Sequence, residues 1–162
     1  MSPSVPAVAE KDYSVAYQDE KEFVTMRIDG QLLGISVLAV QDVLRAQPIA
    51  RVPLAPEVIA GLLNIRGRIV TAINMRERLG VDAFEDFSET MHVVVEYRHE
   101  LYSLVVDSVG EVHNLPMDRF EKSPANLASE WQEIAAGVFK MKNELLVILD
   151  VESVIGNLNK QQ

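Results

Sequence analysis

Residues 57–80 read EVIAGLLNIRGRIVTAINMRERLG, and the fold turns on how this stretch is parsed. Leu62–Ile65 and Ile69–Ile73 are apolar runs of strand length on either side of Arg66-Gly67-Arg68, the pattern of a β-hairpin. Asn74 is placed to cap a short helix, Met75–Leu79, which Gly80 stops. Within the first strand Leu63 and Ile65 point to one face, Asn64 and Arg66 to the other. Gly61 sits where a helical turn would pass into that strand, a place for a small residue or a positive φ. The same grammar returns in residues 133–156, EIAAGVFKMKNELLVILDVESVIG. Without a gap, Glu57 falls on Glu133, Ala60 on Ala136, Gly61 on Gly137 and Gly80 on Gly156, and apolar positions meet apolar ones.

A second overlay precedes the first. Phe23–Val43, moved forward by 69 positions, lies on His92–Val112. Val24 meets Val93, Leu32 meets Leu101, Val37 meets Val106, Val40 meets Val109 and Val43 meets Val112. Only 9 of 45 paired positions are identical, but the two overlays run in the same order. Their offsets, 69 and 76, differ because the connection His113–Gln132 is seven residues longer than Leu44–Pro56. The chain therefore reads as two similar halves, with a seam between them suited to partner binding.

Outside the repeated hairpin the text is also strand-like. Phe23–Ile28 and Gln31–Val37 flank the turn dipeptide Asp29-Gly30, and Met91–Tyr97 and Glu100–Val106 flank Arg98-His99. Gly137–Met141 and Glu144–Leu149 pair across Lys142-Asn143, and Asp150 caps a last helix, Val151–Leu158. Val40, Val43 and Leu44 fall at helical spacing, which predicts a short helix within Leu38–Leu44. Many short strands with little helix indicate small β-barrels or a sandwich. Each half, at roughly 60–70 residues, is near the lower limit for an independent core, so one folding unit with a large shared interface is expected.

Composition narrows the function. With 48% hydrophobic residues a folded, water-soluble chain is expected. Residues 1–20 carry two prolines, three serines and four acids against one lysine, which predicts a mobile tail without a secretory signal. No apolar run is long enough to span a bilayer. The absence of cysteine removes disulfides, thiolate metal sites and thiol nucleophiles, and fits a reducing compartment. A net charge of −9 argues against nucleic acid or an anionic membrane as ligand.

Catalytic patterns are wanting. His92, His99 and His113 form no metal-ligand pair and read as surface or boundary residues. There is no G-x-S-x-G and no phosphate loop, because Gly61–Gly67 leads into a strand and not a helix. The carboxylates scatter over linkers and helix faces. Arg66, beside a tight turn on a stiff hairpin, is pre-oriented for a carboxylate or for carbonyls at a helix end, or is simply a solubilising arginine.

Three motifs carry a family resemblance. Gly61, Asn64, Arg66 and Gly67, followed by Ile69-Val70-Thr71-Ala72-Ile73-Asn74 and Arg76, resemble the most recognisable segment of the CheW family, the coupling proteins of bacterial chemotaxis, with Asn74 where the family commonly has aspartate. Val40-Gln41-Asp42-Val43 is similar to its V-Q-E-hydrophobic helix, and Val105-Val106-Asp107-Ser108-Val109 to its V-V-D-x-V segment. The resemblance covers about residues 22–158. It implies an all-β fold of two SH3-like five-stranded barrels with a few short helices, here expected over 21–88 and 89–158. It also implies a non-enzymatic adaptor without metal or cofactor, monomeric alone and arrayed with partners. Those partners would be the tip of a methyl-accepting chemoreceptor, bound in a groove between the barrels, and the regulatory domain of a histidine autokinase, bound barrel to barrel. The location implied is cytoplasmic, at membrane-associated or cytoplasmic receptor arrays. Carried over residue by residue, the groove comprises Val40, Asp42, Val43, Arg66, Thr90, Met91 and Val109, with Gly61 and Val112 as kinase contacts. Competing readings are a CheW-like regulatory module of a kinase or receiver-linked adaptor, and a small-molecule-binding double barrel.

Overall fold

The computed structural model describes residues 19–122, 127–156 and 158. The expected mobile tail falls largely on residues 1–18, outside that set; its last two positions are described, and Glu20 already belongs to the first strand. Ten strands form two five-stranded sheets. In chain order they are β1 (Glu20–Ile28), β2 (Gln31–Ser36), β3 (Val40–Arg45), β4 (Ile59–Ile65), β5 (Arg68–Asn74), β6 (Met91–Tyr97), β7 (Glu100–Val106), β8 (Ser108–Pro116), β9 (Ala135–Lys140) and β10 (Leu145–Leu149). Among the described residues three short α-helices accompany them: α1 (Met75–Arg78), α2 (Ser129–Ile134) and α3 (Val151–Gly156).

The expected small barrels are present, but they do not coincide with the sequence halves. One sheet runs β8-β1-β2-β10-β9 and the other β3-β6-β7-β5-β4. Each takes two strands from one half and three from the other, so a division at 88/89 separates no structural unit. The halves exchange strands because an isolated half could not cover its own apolar faces. Along β10 the run Leu145–Leu149 has no polar side: Leu146 and Ile148 face one cluster with Phe23 and Phe139, while Val147 and Leu149 face another. That other cluster is the main core and is shared. Met26 and Leu33 from one sheet meet Ile73, Val93 and Leu104 from the other, sealed by Met75, Ile134 and Ile155 of the helices and by Leu79 just after α1. The seam between the barrels is therefore mostly core.

The repeat seen in the sequence is reproduced strand by strand. The antiparallel pair β1–β2 matches β6–β7, and the parallel pair β2–β10 matches β7–β5. Even the irregularities recur. A register shift between Val40 and Asp42 on β3, opposite Val95 and Val94, matches one on β8 where Val109 and Val112 oppose Met26 and Val24. Another between Ile59 and Gly61 on β4 matches one between Ala135 and Gly137 on β9. The crossing segments repeat as well, since Ala50 bridges Leu62 and Glu121 bridges Val138.

Local expectations mostly held, with instructive exceptions. Arg66 and Gly67, at φ 53° and 83°, form the two-residue hairpin turn, both in the left-handed region that such turns require. The Asn74 side chain accepts from the Glu77 N–H at 3.1 Å, capping α1. The helix expected within Leu38–Leu44 is instead a 3-10 turn, Val37–Ala39, followed by β3. Gly61 does not follow a helical turn. It lies within β4 at φ 148°, where a Cβ would stand 2.3 Å from the Ala50 carbonyl oxygen. The loop expected over His113–Gln132 begins as strand, because β8 continues to Pro116 against Lys21 and Glu20.

Candidate partner-binding site

β3 ends one sheet and β8 ends the other, so the two edges are equivalent positions of the repeat. β3 carries Val40, Asp42 and Val43. Its polarity is inverted: Asp42 is half-buried while Val43 is exposed. The Asp42 Oδ1 accepts from the Val43 N–H at 2.9 Å. Its Oδ2 is closed off from solvent and lies 3.2 Å from Arg66 Nη1, a contact of charge without an aligned hydrogen bond. The Arg66 side chain is 79% exposed, so the pair contributes little to stability. It does bring the hairpin tip of β4–β5 into contact with the far edge strand of the same sheet.

The other expected groove residues take varied places. Thr90 is buried, its hydroxyl donating to the Phe87 carbonyl at 2.6 Å as the chain enters β6. Met91 follows it and pairs with Arg45 at the end of β3. Val109 stands on β8 in the other sheet, opposite Met26. Val40, Met91 and Val109 are half-buried and pack on the shared core, so each is partly a core residue and partly surface. Of the two expected kinase contacts, Val112 is 53% exposed on β8. Gly61 is buried, and the Ala50 backbone accounts for its identity.

Two polar groups outside the expected site are built into the frame. Arg76 of α1 donates to both Asp107 carboxylate oxygens, at 2.9 and 2.7 Å, and to the Asp82 carbonyl at 2.9 Å. Asp107 also accepts from the Asp29 N–H at 2.8 Å, so the β1–β2 turn of one sheet is tied to the helix following β5 of the other. Burial alone would push the Asp107 carboxyl up; the Arg76 and Asp29 hydrogen bonds and the guanidinium charge outweigh it and hold it below the usual range. The second is His92, expected at a surface or boundary and in fact fully buried on β6. Its Nδ1 is 2.6 Å from Ser103 Oγ, and its Nε2 accepts from the Gln47 N–H at 3.4 Å. Burial holds this imidazole below its ordinary pKa. The signal was available, because His92 is the repeat equivalent of Phe23, a core position.

Among the described residues no group of three or more His, Cys, Asp or Glu side chains is arranged to hold a metal ion. None of their helices is long and apolar enough to cross a membrane. What the surface offers is two bulged sheet edges and a charged hairpin tip, the features of a protein-binding module. The family model for the CheW-like domain matches residues 22–159, and the chain belongs to that family.

Named relatives agree. The chain is 26% identical to the chemotaxis protein CheW of Bacillus subtilis, over 87% of this chain and 90% of that one. It is 22% identical to the chemotaxis protein CheW of Treponema pallidum, over 97% and 95% respectively. It is 24% identical to the protein PilI of Pseudomonas aeruginosa, over 76% and 70%. Among solved structures, the scaffolding protein CheW from Thermoanaerobacter tengcongensis superposes with a TM-score of 0.75 over 83% of this chain and 86% of that chain, at 24% identity, and shares its fold.

Proposed function

We propose that this chain is a non-catalytic chemotaxis coupling protein. It holds the tip of a methyl-accepting chemoreceptor against the β3 edge and binds the regulatory domain of a histidine autokinase barrel to barrel. The family supports the class, and the names of the relatives supply the process. One observation supports the site: on β3 the carboxylate turns inward and Val43 turns out, the reverse of what folding alone selects. A valine left partly at solvent on an edge strand, beside a guanidinium that is largely exposed, suits an amphipathic helical tip. Apolar side chains of the tip lie on Val40, Val43, Met91 and Val109, while Asp42 and Arg66 set its direction. Val112 is the accessible candidate for the kinase contact, and the complex forms in the cytoplasm at receptor arrays.

Arg66→Glu tests this reading. It places a second carboxylate beside Asp42 at an exposed turn, so the melting temperature should fall by less than ~3 °C, in keeping with an exposed ion pair of under about 1 kcal/mol. Capture of the folded variant by receptor-containing membranes should drop at least tenfold. Capture equal to that of the parent chain would remove Arg66 from the site.

A further inference from the structure

β8 is bulged where it meets β1. Val109 opposes Met26 and Val112 opposes Val24, so Thr25 faces both Gly110 and Glu111. Regular alternation would turn Glu111 inward with half-buried Val109 and His113. Instead Gly110, Glu111 and Val112 are exposed in succession, which sets a carboxylate beside the valine on the edge of the sheet.

The bulge is braced from the neighbouring strand. Thr25 is 2% exposed, and its hydroxyl donates to the Glu111 carbonyl at 2.6 Å. Gly110 admits that hydroxyl, since a Cβ there would stand 2.8 Å from Thr25 Oγ1. Valine has nearly the same shape without the donor, so a threonine at this buried site is explained by the bond it makes. The other copy uses a different brace. On β3 the matching bulge faces Val94, the repeat equivalent of Thr25, and Asp42 accepts the Val43 N–H at 2.9 Å within the bulged strand itself. One backbone device thus has two braces, and the β8 edge takes its shape from a side chain on another strand.

We propose that Thr25 is a positioning residue of the partner-binding edge: through the Glu111 carbonyl it keeps the bulge that turns Glu111 and Val112 out together toward the kinase regulatory domain. This role rests on Val112 as the kinase contact, and it belongs to a residue too deeply buried to touch a partner.

The test uses the full chain and the purified regulatory domain of the histidine autokinase encoded by the same genome, with binding read by calorimetry. Thr25→Val should lower the melting temperature by less than ~5 °C, the scale of one hydrogen bond in a chain of this size. It should weaken binding about fivefold, whereas Thr25→Ser, which keeps the donor, should bind within about twofold of the parent. The Glu111 carbonyl-carbon resonance should shift in Thr25→Val and hold in Thr25→Ser. Val112→Ala should also weaken binding, and adding Thr25→Val to it should cost less than about twofold more, because the side chain to be positioned is gone. A merely structural threonine would give losses that add. Additive losses, a Thr25→Val chain that binds like the parent, or a folded Thr25→Ser chain that binds as poorly as Thr25→Val would each overturn the role of Thr25 while leaving Val112 as the contact. A Val112→Ala chain that binds like the parent would remove the contact itself, and the role of Thr25 in binding with it, even where the Glu111 resonance shows the bulge braced by Thr25.

Discussion

At the scale of single residues, the two copies solve one packing problem with different chemistry. Phe23 lies in the core of one barrel beside Gly34, where an added Cβ would crowd the Ile148 Cδ1 at 3.0 Å and the Leu146 Cδ1 at 3.3 Å. The equivalents in the other barrel are His92 and Ser103, joined at 2.6 Å. With Nε2 accepting from Gln47, the proton sits on Nδ1 and is donated to the serine hydroxyl. The imidazole must therefore stay neutral in the folded state, whereas the unfolded chain takes up a proton near pH 6.5. A folded pKa depressed by burial gives stability that is complete above the unfolded value and is lost as pH falls below it. Thermal melts should thus show stability declining as the pH falls below about 6.5, with a slope of at most one proton from this group. His92→Phe together with Ser103→Gly, which copies the other barrel, should fold and remove that component of the slope. An unchanged slope in the double variant would mean that other groups carry the acid sensitivity.

At the scale of elements, the bulges decide the paths of the edge strands, and glycine is required where a crossing segment lies against one. At Gly61 the φ of 148° and the Ala50 carbonyl oxygen, 2.3 Å from a would-be Cβ, act together. Gly137 meets the same obstacle, with the Glu121 carbonyl oxygen at 2.4 Å and the Phe120 ring close by. Gly61→Ala should cost about 3 kcal/mol or more in chemical denaturation, because neither the backbone angle nor the neighbouring main chain can yield cheaply. A loss below about 1 kcal/mol would show that the Ile49–Ala50 crossing shifts aside. The hairpins were legible because their strands announce themselves by turn dipeptides and branched residues: β6 and β7 match the expected ranges residue for residue. β3 was misread for the reason that makes it interesting. With Asp42 inward and Val43 outward, its alternation is concealed, and the remaining apolar positions imitate helical spacing. The residues proposed for the receptor groove rest on the family resemblance alone, with no pattern of their own in the sequence. Of the seven, the structure places Asp42 and Arg66 in direct contact and divides Val40, Met91 and Val109 between surface and core.

At the scale of the whole molecule, duplication was readable but its consequence was not. Two similar halves suggest two successive domains, yet hydrogen bonding joins β3 of the first half to β6 of the second, and β8 of the second to β1 of the first. Sequence similarity records which strands are equivalent and is silent on which copy each one pairs with. Exchange wins here because it lets one continuous core of Met26, Leu33, Ile73, Val93, Leu104 and Val147 serve both barrels. A half of roughly 70 residues would be left marginal by itself. The knot of Arg76, Asp107 and Asp29 reinforces the exchange from outside, since Arg76 and Asp29 come from the first half and Asp107 from the second. Separate fragments 19–88 and 89–158 should accordingly be unfolded. Each alone should give a narrow amide proton spectrum and no cooperative melt, because β1–β2 and β6–β7 would be isolated hairpins with bare apolar faces. Mixed in equal amounts, the fragments should recover strand circular dichroism and a cooperative transition that depends on concentration, as required when folding and association are one event. A fragment that melts cooperatively by itself would mean that a half can close its own barrel, and the exchanged topology would then be a preference and not a necessity of this sequence.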